Sequence, residues 1–184
     1  MEELLIKIKY EKDIFKRHLL FSAWLSQKLK EKSIPLPIIV GGSALEIYTG
    51  GFYLTGDIDL VSPYKKELEN IILSSSFFKK VGKNLISDEL GLFVEIVDEK
   101  LAGSLDKINT ISINENFDIK VIGLEDLIID RLNACVHWKS YSDCEWAEVL
   151  LEEFKEKIDF KYLKERAEKE QVYKKLQDLL KNEN

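Results

Sequence analysis

Asp57 and Asp59 stand one residue apart in an apolar run that includes Ile58, Leu60 and Val61. A strand alternates its side chains, so both carboxylates are expected on one face. Two carboxylates crowded on a buried strand repel each other, and a divalent cation between them is the simplest relief. Upstream, the run Ile38-Ile39-Val40 ends in Gly41-Gly42-Ser43, and thirteen residues separate Ser43 from Asp57. Glycines let backbone N–H groups approach an anion that side chains would hold off. Ser43 adds a hydroxyl, and it could equally be the N-cap of the helix that follows; the two uses are compatible. Metal-binding carboxylates and a phosphate-cradling turn together suit transfer of a nucleotidyl group.

Several elements must position these residues. Apolar residues at helical spacing predict one helix over about Lys9 to Lys32, with Met1 to Ile8 readable as a helical turn or a short strand. Pro35 and Pro37 stop that helix and feed the strand Ile38–Val40. A short helix is expected from Ser43 to Thr49, its N-terminus toward the anion, ended by Gly50-Gly51. A strand over Asp57–Val61 and a helix from Pro63 to about Leu73 follow. Further strands are expected at Phe77–Val81, Leu85–Ile86, Leu92–Val97, Ile108–Ile113 and Phe117–Ile122, with turns at Gly82-Lys83-Asn84 and Asn114-Glu115-Asn116. After Gly123 the chain reads as helical: Leu124 to Trp138, a helix opened by a capping box at Ser142 and Glu145, one from near Asp159, and one from Gln171 to Leu180. The last residues, 181–184, are expected to fray. Strands and helices that alternate early and helices that cluster late predict an α/β (α+β) class. Residues 1–123 would be a sheet domain with an N-terminal helix, and 124–184 a C-terminal helical segment packed on it.

Gly42-Ser43, a spacer and Asp57-Ile58-Asp59 resemble the hallmark of the nucleotidyltransferase fold superfamily, whose polymerase beta-like members carry Gly-Ser, a spacer and Asp-x-Asp. The run Gly123 to Leu132 resembles the helix after the sheet in small prokaryotic members, including those related to abortive-infection toxins. The resemblance spans about Ile38 to Phe154. It implies a mixed β-sheet with flanking helices, and an enzyme that moves an NMP from an NTP to a hydroxyl and releases pyrophosphate. It also implies a third carboxylate on a later strand, which falls at Glu95 in Phe93-Val94-Glu95-Ile96-Val97. Asp98 is the alternative; alternation puts it on the opposite face from Glu95, so only one of them can serve.

On this reading Asp57, Asp59 and Glu95 are catalytic and hold Mg²⁺ (or Mn²⁺), while Gly41, Gly42 and Ser43 bind the nucleotide. The acceptor stays open among a tRNA end, a protein side chain and a small molecule, and an antitoxin is a further partner. The rival within the same fold is a non-catalytic nucleotide-binding or toxin–antitoxin interaction module. A structural α/β protein with no divalent metal dependence is a third reading.

Composition narrows the classes. The apolar fraction is 45%, charged residues make up 33% and the net charge is −6. That balance disfavours broad electrostatic binding to nucleic acid. No apolar run approaches the roughly 20 residues that span a bilayer, and Met1-Glu2-Glu3 lacks a signal-peptide pattern, so a cytoplasmic protein with no membrane partner is expected. Cys135 and Cys144 read as buried structural thiols, and His18 and His137 are too scattered for zinc. Lys79, Lys80, Lys83 and Arg131 are the candidate cations for a triphosphate. Trp24, Trp138 and Trp146 read as core. The charged stretch Lys164–Glu170 reads as a solvated helix face.

Overall fold

Asp13 divides the helix expected at the N-terminus. Its side chain accepts the Lys16 N–H at 3.0 Å, while the Glu11 carboxylate accepts from the backbone of Lys12 and Asp13. These caps satisfy donors that a continuous helix would have bonded internally, so the chain breaks into α1 (Glu3–Tyr10) and α2 (Ile14–Glu31). The computed structural model describes residues 3–115 and 117–181, apart from the Asn114 side chain. Lys181, expected to fray, is the last residue of the C-terminal helix; the Asn116 part of the expected turn and the fraying expected at residues 182–184 lie outside the described residues.

The chain divides into two units, Met1–Ile122 and Gly123–Asn184. The first contains β1 (Ile38–Ile39), α3 (Gly41–Tyr48), β2 (Ile58–Val61), α4 (Lys65–Leu73), β3 (Lys79–Val81), β4 (Asn84–Ser87), β5 (Leu92–Asp98), β6 (Asn109–Asn114) and β7 (Phe117–Val121). The strands form one mixed sheet of seven in the order β3-β4-β5-β2-β1-β7-β6. β2 runs parallel to β5, β1 runs parallel to β7, and the other neighbouring pairs are antiparallel. Val81 pairs with Asn84, so Gly82 and Lys83 alone make the β3–β4 turn. Gly82 takes the left-handed φ of 61° that such a turn needs. Asn84, expected in the turn, is the first residue of β4.

Burial follows the alternation. Ile58 and Leu60 of β2 and Val94 and Ile96 of β5 are all buried and pair with one another in register. On α2, Phe21 and Trp24 are buried and meet Phe78, with ring centroids 5.6 and 6.4 Å from it. Phe78 belongs to the expected strand start but lies before β3, where it fills this aromatic cluster.

The second unit holds α5 (Leu124–His137), α6 (Tyr141–Glu153), α7 (Phe160–Lys169) and α8 (Tyr173–Lys181). The capping box at Ser142 does not open α6: the N-cap position falls two residues earlier, at Ser140, and the helix begins at Tyr141. Cys135 and Cys144 are joined in a disulfide rather than standing as thiols, with Cα atoms 4.9 Å apart. The reason is geometric, since the α5–α6 turn brings the end of one helix beside the start of the next. Trp138 lies on that turn and is 81% exposed, so only Trp24 of the three tryptophans is deep core. Arg166, expected on a solvated face, bonds the buried Asp126 carboxylate at 3.0 Å, which also accepts from the Tyr162 hydroxyl. A buried carboxylate requires such partners.

Candidate active site

Asp59 and Glu95 are direct partners across the parallel β2–β5 ladder. They occupy the face opposite the buried Ile58–Val94 and Leu60–Ile96 pairs, so alternation and register together set two carboxylates side by side. Asp57 lies in the bend just before β2 and is exposed. A bulge between Leu60 and Val61 shifts the register so that Val61 meets Asp98. Asp98 bonds the backbone N–H groups of Glu99 and Lys100, which hold its carboxyl below the usual aspartate range. Asp98 thus ends the strand as a turn residue, and Glu95 is the acid beside Asp59.

Like charges directly opposite each other destabilise a sheet. Here Lys83 offsets them: its Nζ lies 2.7 Å from Glu95 Oε1. The Glu95 carboxylate, first by hydrogen bond and then by charge, raises the Lys83 pKa above the ordinary lysine value, and the Asp59 charge adds to this. The other candidate cations are engaged elsewhere. Lys79 pairs with Asp88, Lys80 with Glu69, and Arg131 with Asp130 and Asp143.

The glycine turn sits on the other side of β2. Val40 N donates to Asp59 O at 3.0 Å, and the chain then turns into α3. Gly41 has φ 58°, and a Cβ there would lie 2.7 Å from Asp59 Oδ2. Only glycine permits both the left-handed backbone and this approach. Val40 is the N-cap of α3 and offers no side-chain acceptor. The N–H groups of Gly41, Gly42 and Ser43 therefore open the helix without an acceptor inside it. Ser43 lies within the first turn rather than at the cap. Its hydroxyl donates to Asp57 O at 3.0 Å and accepts from Asp59 N at 2.9 Å, which stitches α3 to the strand that carries both aspartates. Thr55 donates to Asp57 Oδ1 at 2.7 Å.

A cleft of 410 Å³ opens beside these groups, lined by Gly56, Asp57, Asn84, Phe93, Val94 and Glu95. Phe93 and Glu95 share a strand face, and Asn84 is the cross-strand partner of Glu95. Among the described residues, no three carboxylate, imidazole or thiolate groups stand close enough to enclose one metal ion. Two of the three predicted acids are adjacent, and the third is turned toward Thr55. Sequence reasoning missed Thr55, the Ser43 bridge and a buried pair beneath α3, His18 Nδ1 to Glu46 Oε2 at 2.6 Å. The signal available was only the Thr55-Gly56-Asp57 spacing, since His18 and Glu46 are 28 residues apart.

No helix among the described residues is long and apolar enough to cross a membrane. No family model matches the sequence, and no curated protein matches it. Solved structures do. An antigenic nucleotidyltransferase-like protein from Paracoccidioides brasiliensis superposes with a TM-score of 0.61 at 19% identity, over 92% of this chain and 93% of that one. The antibiotic-resistance factor ANT(2'')-Ia, whose solution structure is described as showing substrate-regulated conformation dynamics, superposes with a TM-score of 0.51 at 15% identity, over 84% of this chain and 91% of that one. These likenesses establish the fold: the chain is a mixed α/β protein with a nucleotidyltransferase-like fold.

Proposed function

We propose that this protein is a divalent-metal-dependent nucleotidyltransferase, which moves an NMP from an NTP to a hydroxyl acceptor and releases pyrophosphate. The observation that carries the reading is the in-register Asp59–Glu95 pair, with Asp57 two residues before Asp59 and the Gly41 backbone packed against Asp59.

The donor set fits Mg²⁺ or Mn²⁺. All the groups are hard oxygen ligands, and Mg²⁺ commonly takes one or two carboxylates and completes its shell with water and substrate phosphates. A closed three-acid cage is therefore not required. Glu95 already holds a cation, the Lys83 ammonium, at 2.7 Å, so this face supports positive charge. Asp57 and Asp59 would hold the ion, with Glu95 beside them. Bound there, it would lower the pKa of the acceptor hydroxyl and neutralise charge on the leaving pyrophosphate.

The chain's own groups supply the rest. The N–H groups of Gly41, Gly42 and Ser43 donate to the NTP phosphates from the start of α3. Ser43, committed to the β2 backbone, fixes the distance from that turn to Asp57 and Asp59. The acceptor oxygen forms a bond to the α-phosphorus while the bond from that phosphorus to the β-phosphate oxygen breaks. Glu95 takes the hydroxyl proton, and pyrophosphate leaves.

The test is a thermal-shift titration with Mg²⁺ and each NTP, on wild type and on Asp57→Asn/Asp59→Asn, with pyrophosphate release measured in parallel. A ligand at 100 times its Kd stabilises the native state by about 2.7 kcal/mol. A Mg²⁺-dependent rise for an NTP, lost in the variant while its ligand-free melting point holds, is expected. Unchanged pyrophosphate release in the double variant would sink the metal mechanism. Nucleotide binding without any release would favour a non-catalytic module.

A further inference from the structure

A chain of hydrogen bonds runs from the buried interior of the first unit to Asp57. It starts on α2, where His18 is 6% exposed, and crosses to Glu46 on α3, 1% exposed, through the 2.6 Å contact of Nδ1 with Oε2. The other oxygen of Glu46 accepts the backbone N–H of Thr55 at 3.4 Å. The Thr55 hydroxyl then donates to Asp57 Oδ1 at 2.7 Å. A buried carboxylate is costly unless each oxygen has a partner, and here the two oxygens face different elements. One is held by a helix and the other holds the loop between α3 and β2. That loop is also closed by Thr49, whose hydroxyl accepts Tyr53 N at 3.0 Å, and it is otherwise exposed at Phe52 and Leu54.

We infer that Glu46, braced by His18, is a positioning residue for Asp57: it fixes Thr55, and the Thr55 hydroxyl sets the orientation of the Asp57 carboxylate. The inference rests on the proposed reading of Asp57 as a metal ligand. With Oδ1 oriented by a hydroxyl donor, the carboxylate presents its remaining lone pairs in one direction rather than sampling rotamers. Hydrogen-bond partners of metal-binding carboxylates typically change metal affinity or activity by about 10–100-fold when removed. The sequence supports the route sterically too. A Cβ on Gly42 would stand 3.0 Å from the Thr55 hydroxyl, so the glycine turn leaves room for Thr55 to reach Asp57.

The probe is Mn²⁺ alone, its binding to the full chain measured by electron paramagnetic resonance, with the melting point recorded for every variant. Thr55→Val removes the hydroxyl and keeps the shape. Thr55→Ser restores the hydroxyl. Glu46→Gln keeps a side chain that can accept from Thr55 N and face His18, but it weakens the acceptor. Thr55→Val is expected to weaken Mn²⁺ binding about 10–100-fold with an unchanged melting point, and Thr55→Ser to recover most of it. Glu46→Gln should weaken binding in the same direction, and Glu46→Gln/Thr55→Val no further than Thr55→Val alone, since both act along one route. A purely structural role would move melting points and leave Mn²⁺ affinity alone. Wild-type binding that survives Thr55→Val and Glu46→Gln but is lost in Asp57→Asn would overturn this inference and leave the metal site standing. Full additivity of the two substitutions would also overturn it. Absence of Mn²⁺ binding in wild type would overturn the metal reading and this inference with it.

Discussion

Gly41→Ala separates two costs that the site imposes on one residue. The first is backbone: φ is 58°, in the left-handed region, where a non-glycine residue costs about 1–2 kcal/mol. The second is contact. The new methyl would stand 2.7 Å from Asp59 Oδ2, closer than side-chain carbons approach an oxygen. The carboxylate must rotate away, and an off-rotamer side chain costs about 0.5–1.5 kcal/mol. The sum is about 1.5–3.5 kcal/mol, or roughly 3–14 °C in melting point for a chain of this size. Gly50 is the internal control. Its φ is 62°, and nothing lies within 4 Å of a Cβ there, so Gly50→Ala incurs the backbone cost alone. Urea unfolding of both variants, at constant slope, should place Gly41→Ala below Gly50→Ala by about the contact cost. Mn²⁺ binding should fall in Gly41→Ala and hold in Gly50→Ala, because only the former displaces Asp59. Equal midpoints and equal Mn²⁺ affinities would refute the argument that the glycine turn is packed against a ligand carboxylate.

The remaining predictions concern a crosslink and an ion pair. The disulfide closes a sequence separation of nine residues, for which the chain-entropy relation gives about 2.6 kcal/mol at 25 °C. Cys135→Ser/Cys144→Ser, or reductant on wild type, should lower the unfolding free energy by about that amount; urea midpoints unmoved by reductant would contradict the pairing. Lys83 titrates above the ordinary lysine value because of Glu95. The contribution of the pair is therefore fully present below the unfolded value of about 10.4 and lost as pH rises through the folded one. In Glu95→Gln the Lys83 resonance in side-chain NMR should titrate closer to the ordinary value, and the stability gap between wild type and Lys83→Met should close only at strongly alkaline pH.

What the sequence discloses about this site, and what it hides, divides along the range of the interactions. Alternation is local, so the burial of Ile58 and Leu60 and the outward placement of Asp57 and Asp59 follow from four consecutive residue types. The glycine requirement is local too: a turn that needs positive φ at Gly41 announces itself. The break at Asp13 was local but masked, because the apolar spacing runs on through it and outweighs a single capping side chain. Glu95 is different. Its own strand is readable, yet its place beside Asp59 depends on β5 pairing with β2 while the intervening β3 and β4 stack outward on β5. The strand types do not encode that order. Lys83 reaches Glu95 because a two-residue turn folds β3 back on β4, and Glu46 reaches Thr55 because α3 packs under the loop that leaves it. Cys135 and Cys144 meet only through the α5–α6 turn, and Trp138 is exposed because it falls on that turn rather than on the buried stripe before it. Residue type and spacing therefore mark the carboxylates themselves. The groups that aim them come from pairings between distant segments, so substitutions at Glu46 and Thr55, neither of which belongs to the legible motif, are the sharper test of how this site is built.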